Sequence, residues 1–229
     1  MTRVVVKLGG HALDRLDAES PVLVALAGDI AELTAAGTDV VVVHGGGPQI
    51  GALLAERGVP ERFVDGLRVT DAATLEAVAM ALSLVNAQIV AALVSSRIRA
   101  VGLRGADSDT LRATPAGEPW GLVGIRPTSD PAHLEVLLSA GTTPVVSPLG
   151  NGGEVLLNVN ADAAAGAIAA ALGARLVVLS DVDQVLADPA DPSSGITCLS
   201  RDDATAMLAS GAARDGMVPK LRAALEALE

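Results

Sequence analysis

The sequence predicts an α/β fold built around a mostly parallel central sheet, and three observations carry that prediction. Continuous apolar runs alternate along the chain with segments of helical spacing. The runs are rich in β-branched residues and lack polar alternation, so they read as strands buried on both faces. Glycine, proline and capping residues punctuate the joins.

The apolar runs are "RVVVKL" (3–8), "DVVVVH" (39–44), "RAVGL" (99–103), "TPVVS" (143–147) and "RLVVLSD" (175–181). Between them, 19–36, 48–57, 71–96, 130–140 and 160–172 have helical spacing, which makes βαβ units. "SDPAHLEVLL" starts a helix with Ser129 or Asp130 as N-cap and Pro131 at the first helical position. "SRDD" (200–203) is a capping box with aspartate in place of glutamate or glutamine. In "DGMVPKLRAALEAL" (215–228), Pro219 fits the first position of a last helix. "FVDGLRV" (63–69) reads as a hairpin turning at Asp65-Gly66, and 109–126 as another short β excursion.

Composition removes several function classes. The chain has 229 residues, half of them hydrophobic, enough for one large domain or two small ones. One phenylalanine (Phe63), one tryptophan (Trp120) and no tyrosine leave little for stacking on bases. Sixteen basic residues against 27 acidic ones give a net charge of −11, which repels nucleic acid and anionic membranes. Any anion site must therefore be locally positive. Cys198 is the sole cysteine, so no intrachain disulfide forms, and a cytoplasmic location is expected. No apolar window reads as a membrane span, and the first ten residues enter a core strand rather than a signal peptide.

Polar residues cluster where strands end, which is where α/β sheets bind ligands. Lys7, His44 and Asp181 all fall there. Lys7 closes an apolar run and is followed by Gly9 and Gly10; a lysine in that place is costly to desolvate without an anion. "VHGGGPQIG" (43–51) follows a strand and opens a helix, so Gly45, Gly46 and Gly47 let a phosphate or carboxylate approach the backbone. It is neither a Walker A loop nor a dinucleotide fingerprint.

Lys220 sits in the first turn of the last helix, where the dipole disfavours a cation by about 0.3–1 kcal/mol unless an anion lies between them. Asn160 is a plausible N-cap, with Asp162 in the first turn behind it. Asn158 and Asn160 share a strand face and aim two amides at one place. Arg68, beside the Asp-Gly turn, has the fork that grips carboxylates. The histidines are dispersed without metal-ligand spacing.

Taken together, "VVVKLGG", "VVVHGGGPQI", "FVDGLRVTD", "VNAQIVAAL", "AVGL", "TPVVSPLG", "NVNADAAAGAIAAALGA", "LVVLSDVDQVL" and "GMVPKL" resemble the amino acid kinase family in its own order. "GLRVTD" and "NVNAD" resemble its N-acetylglutamate kinases. The resemblance implies a single-domain three-layer sandwich with helices on both faces and β-hairpin excursions. Residues of about 1–173 would form the lobe for the amino-acid substrate and about 174–229 the nucleotide lobe. It implies transfer of phosphate from ATP, with Mg2+, to the side-chain carboxylate of N-acetyl-L-glutamate in arginine biosynthesis.

Under that resemblance Lys7 and Lys220 flank the transferring phosphoryl group and Asp162 holds both ammonium groups. Gly9 and Gly10 lie at the ATP phosphates, and Gly45, Gly46 and Gly47 near the acceptor carboxylate and γ-phosphate. Arg68 and Asn158, with Asn160, hold the acyl amino acid. Ser180 and Asp181 of "SDVDQV" and Met217 help to form the nucleotide site.

Three departures from the family pattern stand out: Gln184 where relatives often have glycine, no helix before the first strand, and an end at Glu229 directly after the Lys220 helix. The missing leading helix implies, by the same resemblance, a homodimer that arginine does not inhibit. A nitrogen-signalling regulator is a partner by resemblance only. Two other readings stay open: a kinase for a related acyl amino acid, such as carrier-linked aminoadipate, and a non-catalytic nucleotide or amino-acid sensor.

Overall fold

The computed structural model describes residues 2–9, 20–180, 184–188, 190–191, 193–213 and 216–228. Gly10, Asp181 and the end of the 175–181 run lie outside the described residues. Five strands form the main sheet: β1 (Arg3–Leu8), β2 (Asp39–His44), β5 (Ala100–Arg104), β8 (Thr143–Ser147) and β11 (Arg175–Leu179). Their order is β11-β1-β2-β8-β5 and every pair is parallel.

Alternation along the central strands separates two cores. Val4, Val6 and Leu8 of β1, with Val40 and Val42 of β2, pack under α1 (Pro21–Ala35) and α3 (Ala72–Ser95). Val5, Val41 and Val43 pack under α4 (Ala132–Ser139) and α5 (Ala161–Leu172). The sheet thus has helices on both faces. β5 and β11 correct the expectation of burial on both faces: they are the sheet's edges, and Val177 is 42% exposed.

The β excursion expected over 109–126 forms two strands of a second, smaller β unit. β6 (Arg112–Gly117), β7 (Gly121–Thr128), β9 (Leu149–Asn151) and β10 (Leu156–Val159) close on themselves as a four-stranded barrel. The hairpin β3 (Phe63–Val64) and β4 (Leu67–Arg68) turns through Asp65 and Gly66, both at positive φ, as the Asp-Gly signal predicts. It is fastened to the barrel by Trp120 Nε1, which donates to Val64 O at 3.1 Å. Thr70 adds two backbone bonds, accepting from Leu122 N and donating to Trp120 O. The close approach needs Gly121, where a Cβ would lie 2.5 Å from Thr70 O.

Helix starts follow their capping residues. Asp71 caps α3 by accepting from Thr74 N, and Ser200 caps α6 (Arg201–Ser210) by accepting from Asp203 N. Two starts move. Pro131 is the N-cap of α4 rather than its first residue, and the Asp130 carboxylate accepts from Ala132 N. α7 (Met217–Glu226) begins at Met217, so Pro219 is its third residue and Lys220 its fourth. Proline fits there because the first four N–H groups have no intrahelical acceptor.

α3 corrects another expectation: at 24 residues it is long and apolar enough to cross a membrane by length and composition. Here one side of it serves two cores. Val85, Ile89 and Leu93 pack on the main sheet, and Val78 and Leu82 pack on α2 (Gly47–Glu56).

α5 and α7 touch almost backbone to backbone. A Cβ at Gly166 would lie 2.8 Å from Ala223 O and 3.0 Å from Ala223 Cα, so this glycine sets the spacing of the two helices. Gly166→Ala is expected to push α7 away and cost about 1–3 kcal/mol. Calorimetry should show this as a lowered Tm, by roughly 2–4 °C per kcal/mol.

Candidate active site

The C-terminal ends of β1 and β2 and the N-terminal ends of α2, α5 and α7 meet at one place. Lys7 shares a strand face with Val5, so it points to the α5 side of the sheet. Asp162 stands in the first turn of α5, which Asn160 caps by accepting from Asp162 N at 2.9 Å and Ala163 N at 3.2 Å. Lys7 Nζ lies 2.8 Å from Asp162 Oδ1, and Lys220 Nζ lies 3.4 Å from Asp162 Oδ2. The Lys7 and Asp162 side chains are buried; Lys220 is 24% exposed. A Cβ at Gly9 would sit 2.0 Å from Lys7 Nζ, so a side chain there would have to displace the ammonium from its present place.

Among the described residues, one carboxylate thus faces two ammonium groups. The N-terminal ends of α5 and α7 add positive potential.

A cavity of about 170 Å3 opens beside this cluster, walled by the loop Gly45–Gly47, by the hairpin and by the β10–α5 junction. Asn158, Asn160 and Arg68 all line it. Asn158 Nδ2 donates to Thr70 Oγ1 at 3.1 Å, and Thr70 Oγ1 donates to Arg68 O at 2.8 Å, so the amide and the arginine share one support. The Arg68 guanidinium pairs with Glu61, lies 4.8 Å from the Phe63 ring centroid and donates weakly to Gly47 O at 3.4 Å. Burial holds its pKa below the ordinary arginine value.

The predicted residues Lys7, Gly9, Gly45, Gly46, Gly47, Arg68, Asn158, Asn160, Asp162 and Lys220 therefore come together around the strand ends. Asn160 differs from expectation in one respect: its Oδ1 is committed to the helix cap. Ser180 follows β11, beside β1 in the sheet. Met217 opens α7 and packs with Leu221. Gly10 and Asp181 lie outside the described residues. Sequence reasoning missed Glu61, Thr70 and Asn86. Thr70 and Asn86 lie inside the motifs "FVDGLRVTD" and "VNAQIVAAL", the signal by which they could have been found.

His44 ends β2 fully buried on the α3 side, with Asn86 Nδ2 at 3.1 Å from its Nε2 and Gly45 O at 2.8 Å from its Nδ1. Burial pushes its pKa from the ordinary 6.5 to about 4, the backbone bond opposing in part. Between those values the unfolded chain holds more protons than the folded one, so stability rises with pH. His44 contributes about 3 kcal/mol above pH 6.5, lost as pH falls towards 4. Urea unfolding of wild type and His44→Asn at pH 7.5 and 4.5 should show the wild type losing more of its stability on acidification. Equal losses would contradict this.

A model of the amino acid kinase family matches residues 2–229. An acetylglutamate kinase from Deinococcus radiodurans is 44% identical, aligned over 98% of this chain and 87% of its own length. One from Symbiobacterium thermophilum is 42% identical over 99% of this chain and 80% of its own. A crystal structure of a Streptococcus mutans protein superposes with a TM-score of 0.84 at 27% identity, covering 98% of this chain and 89% of that one. With the parallel sheet, the glycine loop and the lysine–aspartate–lysine cluster in place, the chain belongs to the amino acid kinase family.

Proposed function

We propose that this chain transfers the γ-phosphoryl group of MgATP to the side-chain carboxylate of N-acetyl-L-glutamate, a step of arginine biosynthesis. The observation that carries this reading is Asp162 held between Lys7 and Lys220 at the edge of a cavity whose wall bears Arg68 and Asn158. Curated relatives of this chain at about 40% identity are acetylglutamate kinases.

A carboxylate nucleophile is already ionised at neutral pH, with an ordinary pKa of about 4. The chain then needs no general base; it needs positioning and positive charge. In this reading Arg68 grips the α-carboxylate and Asn158 reads the acyl amide. Lys7 and Lys220 face the equatorial oxygens of the transferring group. Asp162 keeps two like charges close together and aims both. Gly9, Gly10 and the Gly45–Gly47 loop give the phosphates close access to backbone N–H groups. Ser180, Asp181 and Met217 border the nucleotide, so residues 1–173 serve the amino acid and 174–229 the nucleotide.

The nucleotide fits the cluster's charge, and nothing lies within 4 Å of a Cβ built at Gly47. Among the described residues no group of three His, Cys, Asp or Glu could cage a metal. Bound Mg2+ would be carried on the ATP phosphates and would supply further neutralising charge.

A homodimer accompanies this proposal, and α3 supports it. Its outer side exposes Met80 (48%), Leu84 (60%) and Val94 (53%), an apolar stripe along one helix.

Coupled ADP release with MgATP should depend on N-acetyl-L-glutamate. Lys220→Ala should cut kcat at least about 100-fold while the fold survives, as expected for a donor aimed at developing charge. A folded, ATP-binding wild type without turnover would favour the sensor reading, and preference for an aminoadipate substrate would move the acceptor. In light scattering the wild type should have twice the chain mass and Leu84→Asp should shift it to the monomer; an unshifted mass would remove α3 from the interface.

A further inference from the structure

His44 belongs to the sequence's glycine motif but does not line the cavity. Its partners determine its chemistry. Gly45 O can only accept, so Nδ1 carries the ring hydrogen and donates to it at 2.8 Å. Nε2 is then an acceptor, and Asn86 Nδ2 donates to it at 3.1 Å. The second amide hydrogen of Asn86 goes to Val145 O at 2.9 Å, which fixes the amide's orientation too. Asn86 Oδ1 occupies the space over Gly102, where a Cβ would lie 1.9 Å from it. A chain of contacts therefore runs from β5 through α3 and the His44 ring to the first peptide of the glycine loop. Both His44 and Asn86 are buried.

We propose that His44, held by Asn86, is a positioning residue: it fixes the Gly45–Gly46 peptide so that the Gly46 N–H faces the reacting phosphoryl group. The carbonyl and the following N–H of a trans peptide point to opposite edges. Holding Gly45 O against the buried ring turns the Gly46 N–H towards the cavity that Gly45, Gly46 and Gly47 line. Three consecutive glycines leave that peptide otherwise free to rotate. A rotated peptide would present its carbonyl to the phosphates and repel them. A neutral ring suits the task, because it anchors the carbonyl without adding a cation that would compete with Lys7 and Lys220 for the phosphates. The inference rests on the proposed phosphoryl transfer and deepens it.

The test compares full-length wild type, His44→Asn, His44→Phe and Asn86→Leu with MgATP and N-acetyl-L-glutamate, kcat being normalised to folded protein. An asparagine amide nitrogen falls near the ring Nδ1 position and can still donate to Gly45 O; phenylalanine cannot. Asn86→Leu frees the ring without touching the loop. His44→Phe and Asn86→Leu should lower kcat roughly 10- to 100-fold, with both KM values within about 3-fold of wild type. His44→Asn should stay within about 5-fold of wild type. Long-range nitrogen NMR of the wild-type ring should show hydrogen on Nδ1. An unchanged kcat in folded His44→Phe, His44→Asn falling as far as His44→Phe, or hydrogen on Nε2 would overturn the inference. A wild type without turnover would overturn the acetylglutamate reading and the catalytic part of this inference together. The ring tautomer distinguishes that failure from a misassigned network.

Discussion

A lysine ammonium enclosed at the end of a parallel strand has to meet an opposite charge, and the architecture of the site follows from that need. Lys7 is 4% exposed. Left alone, its charge would cost several kcal/mol. Asp162 answers it from the first turn of α5, where the helix dipole also favours a carboxylate. For the two to meet, α5 must lie close on β1, and its sequence of alanines with a single interior glycine allows that. The same small residues admit α7, and Gly166 against Ala223 brings Lys220 within reach of the second carboxylate oxygen. Buried ion pairs rarely stabilise a fold more than apolar residues of the same volume. This one makes sense as chemistry that the fold was built to hold.

Alternation along two adjacent strands divides the work. Lys7 of β1 faces α5, whereas His44 of β2 faces α3, and the register pairs Leu8 with His44. The strand ends therefore carry a charged group on one face and a neutral hydrogen-bonded network on the other. Between them lies the glycine loop, whose Gly45 N donates to Leu8 O at 2.9 Å and whose Gly45 O accepts from His44. The most adaptable backbone in the site is thus bonded on both sides.

Much of this was legible in the residues. The apolar runs placed the five parallel strands, Asp65-Gly66 placed the hairpin turn, and Asn160 with Asp162 placed the start of α5. Lys220 stands out because a cation early in a helix is unfavourable without an anion, and Asp162 lies beside it. Edge strands were not legible, because an apolar run has the same appearance at the centre and at the rim. The barrel closure was hidden for another reason: β9 is three residues long, and the pairings that close the ring, β9 with β6 and β10 with β7, join segments distant in sequence. Asn86 is a single amide in a largely apolar helix, and its partners come from three other segments. α7 starts earlier than Pro219 suggested, because proline is tolerated throughout the first turn.

Arg68 shows how such a site can be ordered before anything binds. Its guanidinium is set by the Phe63 ring beneath it, by Gly47 O and by Glu61, while Thr70 ties its backbone to Asn158. Glu61 and Gly47 O engage the two terminal nitrogens, and Glu61 is the carboxylate that an entering one would displace. The Glu61 side chain is 36% exposed, so water can receive it when it leaves. The Arg68 side chain, by contrast, is only 9% exposed, so its charge needs a carboxylate partner throughout. In the proposed reaction an entering carboxylate would take over that role from Glu61, at a guanidinium already held in place by the fold.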